Sequence, residues 1–376
     1  MSLSTLRGSL GLALVFAAAF YNAPAYSAPG HIDFGIMVAQ DYFRDVAGGA
    51  ERGGGAPGIL HLTAEVDSNS DIFHLDVLGT FGSSISDNAG DLQTLSNFEA
   101  YNTARLFEAW YQRDFAGSGF SLRLGMQDYN VLFDVLDPAQ LFINSSFGIE
   151  PTISQVPVSI FPETTLGAVA RWRSRDGYVL AGVYDGTPGL PGHPAGTHVH
   201  FNSGDGLFST LEAGIAKTNE YKLAAGYWYD TASVDYPIGH HRTRNHGWYT
   251  IGSMGFSGKN DAPAVHVFMQ LGGAPSDRNP FARYIGAGIT LNGFVAGRPD
   301  DTLGLAVARA GMSRSFRNAT HAATTAETAF ELTYQTHLTD RLYLQPDVQY
   351  IISPGGVSDV DDALVVGLRI SYSLYR

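Results

Sequence analysis

Cysteine is absent from this 376-residue chain, which excludes a disulfide framework and any thiolate metal site. Also missing, beyond the N-terminal region, is a run of 18 or more apolar residues, so no membrane-spanning helix is expected. Positive charge is scarce. Against 36 acidic residues stand 23 basic ones, a formal net charge of −13, which argues against nucleic acid as a partner. Lysine occurs three times, at Lys217, Lys222 and Lys259, and arginine fills every other basic position. There is no nucleophile elbow, P-loop or dinucleotide fingerprint, so neither an enzyme nor a cofactor is expected.

What is present begins with a leader. Arg7 supplies a positive start, Leu10 to Phe20 form an apolar run too short to cross a bilayer, and Ala23-Pro24-Ala25 has the small-x-small form of a cleavage site. Residues 1–25 are therefore read as a secretion signal peptide. A cut after Ala28 is the second choice because it would leave Pro29 next in line. The remainder, 26–376, shows no domain boundary and is read as a single domain.

That remainder alternates with a period of two over segments of about 8 to 10 residues, the pattern of strands that cross a membrane. At the C-terminus, Val366, Leu368, Ile370, Tyr372 and Leu374 oppose Gly367, Arg369, Ser371 and Ser373. Upstream, Leu342, Leu344, Pro346, Val348 and Tyr350 oppose Tyr343, Gln345, Asp347 and Gln349, and Phe330, Leu332 and Tyr334 oppose Glu331, Thr333, Gln335 and His337. Near the middle, Phe107, Ala109 and Tyr111 oppose Glu108, Trp110 and Gln112, and Leu122, Leu124 and Met126 oppose Ser121, Arg123, Gly125 and Gln127. One face suits lipid and the other water. The expected fold is all-β: an antiparallel transmembrane barrel. A mean hydropathy of −0.03 with 12% aromatics fits such averaging.

Turn lengths orient the barrel, because periplasmic turns are short and extracellular loops long. Gly117-Ser118-Gly119 and Thr339-Asp340 are tight, which places the stretch after Gln127 and the stretch Ser353 to Asp362 outside. The first of these runs from Asp128 to about Pro162 and holds Leu136, Leu141, Phe142, Ile143, Phe147, Ile149, Val156, Val158, Ile160 and Phe161. That is too much apolar surface to leave in water, so this loop is expected to fold inward and narrow a pore. Ala47 to Gly58 and Thr187 to Gly206 read as surface loops. His193, His198 and His200, like His240 and His241, read as solvated loop residues rather than a metal site.

From Leu106 to Gly148 the sequence LFEAWYQRDFAGSGFSLRLGMQDYNVLFDVLDPAQLFINSSFG resembles the carbohydrate-selective porins of the OprB family. Further blocks follow in the same order: LAGVYDG from Leu180, DGLFSTLEAG from Asp205, HGWYTIG from His246, GRPDDTLGLA from Gly297, ETAFELTYQ from Glu327, and a closing run from Leu342. Two departures stand out. Ser253-Met254 replaces the family's Asp-Gln pair, and the chain ends Leu374-Tyr375-Arg376 rather than on phenylalanine. The resemblance implies a barrel of about 16 strands, although chain length alone also allows 14 or 18, and a Gram-negative outer-membrane channel, with lipid and lipopolysaccharide around it, that passes glucose-like monosaccharides by facilitated diffusion. It also implies passage through the barrel assembly machinery. Porins are often trimers, so a homotrimer is an open option.

A sugar offers hydroxyls and an apolar C–H face, so a selective pore wants amides, carboxylates, guanidiniums and an aromatic to stack on. Parity assigns Glu108, Trp110, Gln112, Arg123 and Gln127 to the lumen as the first candidates, joined by Arg171, Arg173, Glu331, Gln335, Gln345, Asp347, Gln349 and Arg369. In the inward loop Asp134, Asn144, Ser145 and Phe147 are the constriction candidates. Two structural alternatives stand beside these roles: Glu108 and Arg123 as a cross-strand ion pair, and Trp110 as filling under the loop. The competing functions are a general diffusion porin and a barrel-scaffolded surface enzyme or adhesin.

Overall fold

The structure is a computed structural model that describes residues 32–189, 193–197, 199, 204–235, 241–257 and 263–375. The leader lies outside the described residues, as do His198, His200 and His240. Sixteen long strands follow one another: β1 (Ile32–Gly49), β2 (Gly58–Asp67), β3 (Asp71–Phe81), β4 (Thr103–Phe115), β5 (Phe120–Gln127), β6 (Thr165–Arg173), β7 (Gly177–Asp185) and β8 (Leu207–Lys217). The second half comprises β9 (Tyr221–Asp235), β10 (His241–Ser257), β11 (Pro263–Gly273), β12 (Phe281–Asn292), β13 (Thr302–Met312), β14 (Ala326–Thr339), β15 (Leu342–Ile352) and β16 (Asp361–Tyr375). A two-residue segment, Gly54–Gly55, adds a short pairing to β1.

Every neighbouring pair is antiparallel, and β1 pairs with β16 from Gly35 opposite Tyr375 to Gly49 opposite Asp361, so the sheet closes on itself. Closure satisfies every strand's backbone without water, which is what hydrocarbon demands. The side chains are inverted relative to a soluble protein. On β14, Phe330 and Leu332 are exposed while Glu331, Thr333 and Gln335 are buried, and on β16, Val366, Ile370 and Tyr372 are exposed while Arg369 and Ser371 are buried. No helix among the described residues is long and apolar enough to cross a membrane; the strands do the crossing.

Parity fails at one informative place. Asp76 of β3 pairs with Glu108, but the next residue, Val77, pairs with Leu106, so Phe107 is an extra residue in β4. One added residue reverses the faces of a strand. Arg105 before the bulge, Phe107 in it, and Glu108, Trp110 and Gln112 after it therefore all point inward and are buried. The expected lipid-facing position of Phe107 is corrected accordingly.

Turns at one end of the barrel are short, as at 116–119, 174–176, 218–220 and 340–341, and both described chain ends lie there. At the other end the connections 82–102 and 128–164 are long. Within 128–164 the short helical turns Asp137–Leu141, Ser145–Gly148 and Pro151–Ser154 present Leu136, Leu141, Phe142, Phe147 and Ile153 to inner-face residues such as Tyr184, Phe208, Trp228 and Phe268. The wall makes room for this mass. A Cβ at Gly304 of β13 would lie 2.7 Å from Leu141 Cδ2 and 2.9 Å from Phe142 Cζ, so glycine there permits the close approach. The 82–102 connection also enters, burying Ile85, Leu95 and Phe98.

Candidate functional site

Closing a polar-faced sheet leaves carboxylates and amides on an inner wall, where each needs a partner. Much of that need is met by the backbone of the inward segment. Glu331 accepts from Ile143 N (2.6 Å) and Asn144 N (2.9 Å), and Gln345 Nε2 donates to Leu141 O (2.7 Å). Gln349 accepts from Asn144 Nδ2 (3.1 Å) and donates to Leu95 O (2.9 Å) and Asp347 Oδ1 (3.1 Å). Gln335 Nε2 lies 3.4 Å from Gln345 Oε1. From the opposite wall Gln270 Nε2 donates to Phe147 O (3.1 Å) and the Tyr284 hydroxyl to Ser146 O (2.7 Å). Irregular backbone inside a barrel must be satisfied in this way.

The loop candidates accordingly hold the loop itself. Asn144 caps the turn Ser145–Gly148 through Ser146 N (3.1 Å). Asp134 accepts from Glu150 N (2.9 Å), and its own N–H donates to Glu212 (3.0 Å). Burial first, and then the Asp134 carboxylate beside it, hold the Glu150 carboxyl well above its ordinary range. Phe147 is fully buried against Phe142 and Phe268. Ser145 lines a cavity described below.

On the β3–β5 wall the candidates form a stack. Trp110 has His74 of β3 parallel to it at 4.8 Å and the Arg123 guanidinium of β5 3.9 Å from its ring centre. Arg123 is in turn gripped by Gln112 Oε1, at 3.1 and 2.9 Å. Because β3 and β5 flank β4, the indole is covered on both faces. It offers no stacking face to a solute, which corrects that part of the expectation. Glu108 accepts from Asp128 N (2.9 Å) and has His74 Nε2 at 3.8 Å, while Gln127 Nε2 donates to Gly167 O (3.1 Å). Arg369 forks onto Asp41 (2.6 and 2.8 Å), reaches Asn97 Oδ1 (2.7 Å) and lies 3.5 Å over the Phe98 ring, clamping the 82–102 segment to the wall.

Two cavities among the described residues border the inward segment. Toward the long-loop end, about 440 Å³ is lined by Met37, Ile59, Phe98, Phe107 and Phe161 interleaved with His61, Asp76, Glu108, Asp128, Asn130 and Gln140. Toward the short-turn end, about 770 Å³ is lined by Arg171, Arg173, Arg175, Tyr178 and Lys222 together with Asp137 and Asp300. In the outer cavity Asp76 Oδ2 takes His61 Nδ1 at 2.6 Å. Asp76 Oδ1 and Gln140 Nε2 have no hydrogen-bond partner among the described residues. Burial, reinforced by the neighbouring Glu108 carboxylate, pushes Asp128 up to about 8.

His61, Asp76, Asp128 and Gln140 are not among the lumen candidates named from the sequence. His61 and Asp76 alternate with apolar neighbours, Leu60 and Leu62 for the one and Leu75 and Val77 for the other, so the parity test would have found them. Gln140 sits in an irregular turn that carries no such signal.

Residues 71–374 match the family described as carbohydrate-selective porin, OprB family. Porin B of Pseudomonas aeruginosa is 29% identical over 184 residues, 40% of this chain and 40% of that protein, so the match spans well under half of that relative's length. Among solved structures, the high-pH structure of Pseudomonas putida OprB superposes with a TM-score of 0.80 at 20% identity, covering 92% of this chain and 94% of that one. The outer-membrane channel DcaP of Acinetobacter baumannii gives 0.57 at 9% identity over 93% and 99%. At these identities the structures speak for the fold.

Proposed function

The chain belongs to the carbohydrate-selective porin, OprB family, a barrel of the Gram-negative outer membrane, and from that premise we propose that it passes glucose-like monosaccharides passively toward the periplasm. The short-turn end faces the periplasm in this reading, after cleavage of the leader at Ala25. Assembly by the barrel machinery and a homotrimeric state belong to the same reading.

One observation carries the proposal. The outer cavity combines aromatic and aliphatic side chains with hydrogen-bonding groups, and two of those, Asp76 Oδ1 and Gln140 Nε2, are an acceptor and a donor without partners among the described residues. A sugar has an apolar face and a rim of hydroxyls, so it can use both kinds of lining at once. Each hydroxyl that enters must shed water, and leaving it unpaired costs roughly 1–3 kcal/mol. A solute whose hydroxyls meet waiting partners crosses a lower barrier. Release must also be quick, so binding is weak, in the millimolar range.

The passage itself is the space left between the inward segment and the β1–β5 wall. Glu331, Gln345, Gln349, Asp134 and Asn144 act by fixing that segment, and Trp110, Gln112 and Arg123 by stiffening the wall. The test is glucose blockade of single-channel current. Gln140→Leu should weaken the blockade several-fold while potassium chloride conductance holds. Unchanged blockade would move the sugar site elsewhere in the barrel.

A further inference from the structure

The inner cavity has a chemistry that a neutral sugar does not need. The β6–β7 hairpin brings Arg171, Arg173 and Arg175 to it, and Lys222 reaches it from β9. Arg171 and Arg173 lie two apart on one strand, hence on the same face and about 7 Å from each other. Arg171 Nε rests on Ser121 Oγ (3.2 Å), while Arg173 and Arg175 have no salt-bridge partner among the described residues.

The facing acids are few. Asp137 comes from the inward segment and Asp300 from the β12–β13 connection. Glu220 is taken by Lys217 at 2.6 Å, and Glu212 stands behind Lys222 at 3.8 Å. His266 completes the titratable lining. The balance is positive in a chain whose net charge is −13. The outer cavity is lined instead by Asp76, Glu99 and Glu108, joined above about pH 8 by a charged Asp128, with neither arginine nor lysine among its lining residues.

We propose that this mouth is an oxyanion-binding vestibule for small solutes carrying a carboxylate or phosphate, sugar acids and sugar phosphates among them. The inference rests on the reading of the barrel as an open pore. Two planar guanidiniums on one strand face match the paired oxygens of such groups better than ammonium would. Placed in series with the acidic outer cavity, they make the pore bipolar, so that oxyanions are gathered at one mouth and repelled at the other.

The experiment uses the full-length protein in planar bilayers at low salt, with inorganic phosphate and then galacturonate added to one face at a time. Millimolar phosphate should reduce the current from one face and act far more weakly from the other. In the variant Arg171→Ser, Arg173→Ser, Arg175→Ser the block should weaken roughly twofold per arginine, the weight of a unit charge about 10 Å away in water, and the reversal potential in a salt gradient should move toward cations. A triple Arg→Lys variant should keep the wild-type reversal potential, which separates charge from misfolding. Equal block from both faces, or block and reversal potential that survive the serine variant, would overturn the vestibule. Glucose blockade recorded in the same bilayers separates the two readings: its absence in wild type refutes the sugar site and leaves the phosphate result standing.

Discussion

Removing the Glu331 carboxylate should loosen the inward segment from the wall. Glu331 is fully buried and accepts two backbone N–H groups, from Ile143 at 2.6 Å and Asn144 at 2.9 Å. A buried N–H left without its acceptor costs about 1–3 kcal/mol, so Glu331→Ala, which strands both donors in a dry site, costs roughly 2–6 kcal/mol. At about 1.4 kcal/mol per decade, the local docking equilibrium falls by some one to four orders of magnitude. Gln345, Gln270 and Tyr284 still hold Leu141, Phe147 and Ser146, so the release is confined to the stretch near Ile143. Glu331→Gln keeps one acceptor oxygen and should fall between. Single-channel recording reads the outcome as added current noise and a raised mean conductance, in protein whose heat-modifiable gel mobility shows a closed barrel. A folded Glu331→Ala channel as quiet and as narrow as wild type would refute the claim that this carboxylate fixes the passage.

Arg369→Ala should destabilise the barrel by about 3–5 kcal/mol, because Asp41 is left buried without its cation; urea unfolding in detergent measures this, and Arg369→Lys, which lacks the fork, should recover only part. Asp128, pushed up to about 8 by burial and by Glu108, is held neutral below that value and gains its charge as pH rises through it. Cation preference should therefore climb between about pH 6 and pH 9, and Asp128→Asn should remove that step from reversal-potential measurements.

The barrel was legible in the sequence because the two solvents of a membrane strand impose a period of two. The segments ending at Gln335, Gln349 and Ser373 carry that period without a break, and the structure places them so. Phe107 was misassigned because a bulge preserves local composition while reversing the faces, and nothing in the neighbouring residues marks the extra one. Parity also says which wall a residue belongs to but not what stands in front of it. Glu331 and Gln345 share the parity of any lumen residue, yet the inward segment occupies the space before them. Trp110 was chosen for a free face that it lacks, since seeing His74 and Arg123 on its two sides requires the registers of β3 and β5. The apolar content of 128–164 was a readable signal. The smaller group Ile85, Leu95 and Phe98 in 82–102 was readable on the same grounds and went unused.

Solute selectivity tests the central claim most directly. Liposomes carrying the purified protein should admit glucose faster than neutral solutes of equal size that lack a ring of hydroxyls, as followed by osmotic swelling. The preference should diminish in Gln140→Leu while small-ion conductance persists. If glucose and its size-matched controls enter wild-type liposomes at one rate, the barrel is a general diffusion pore, and the partnerless groups of the outer cavity are no more than part of a polar wall.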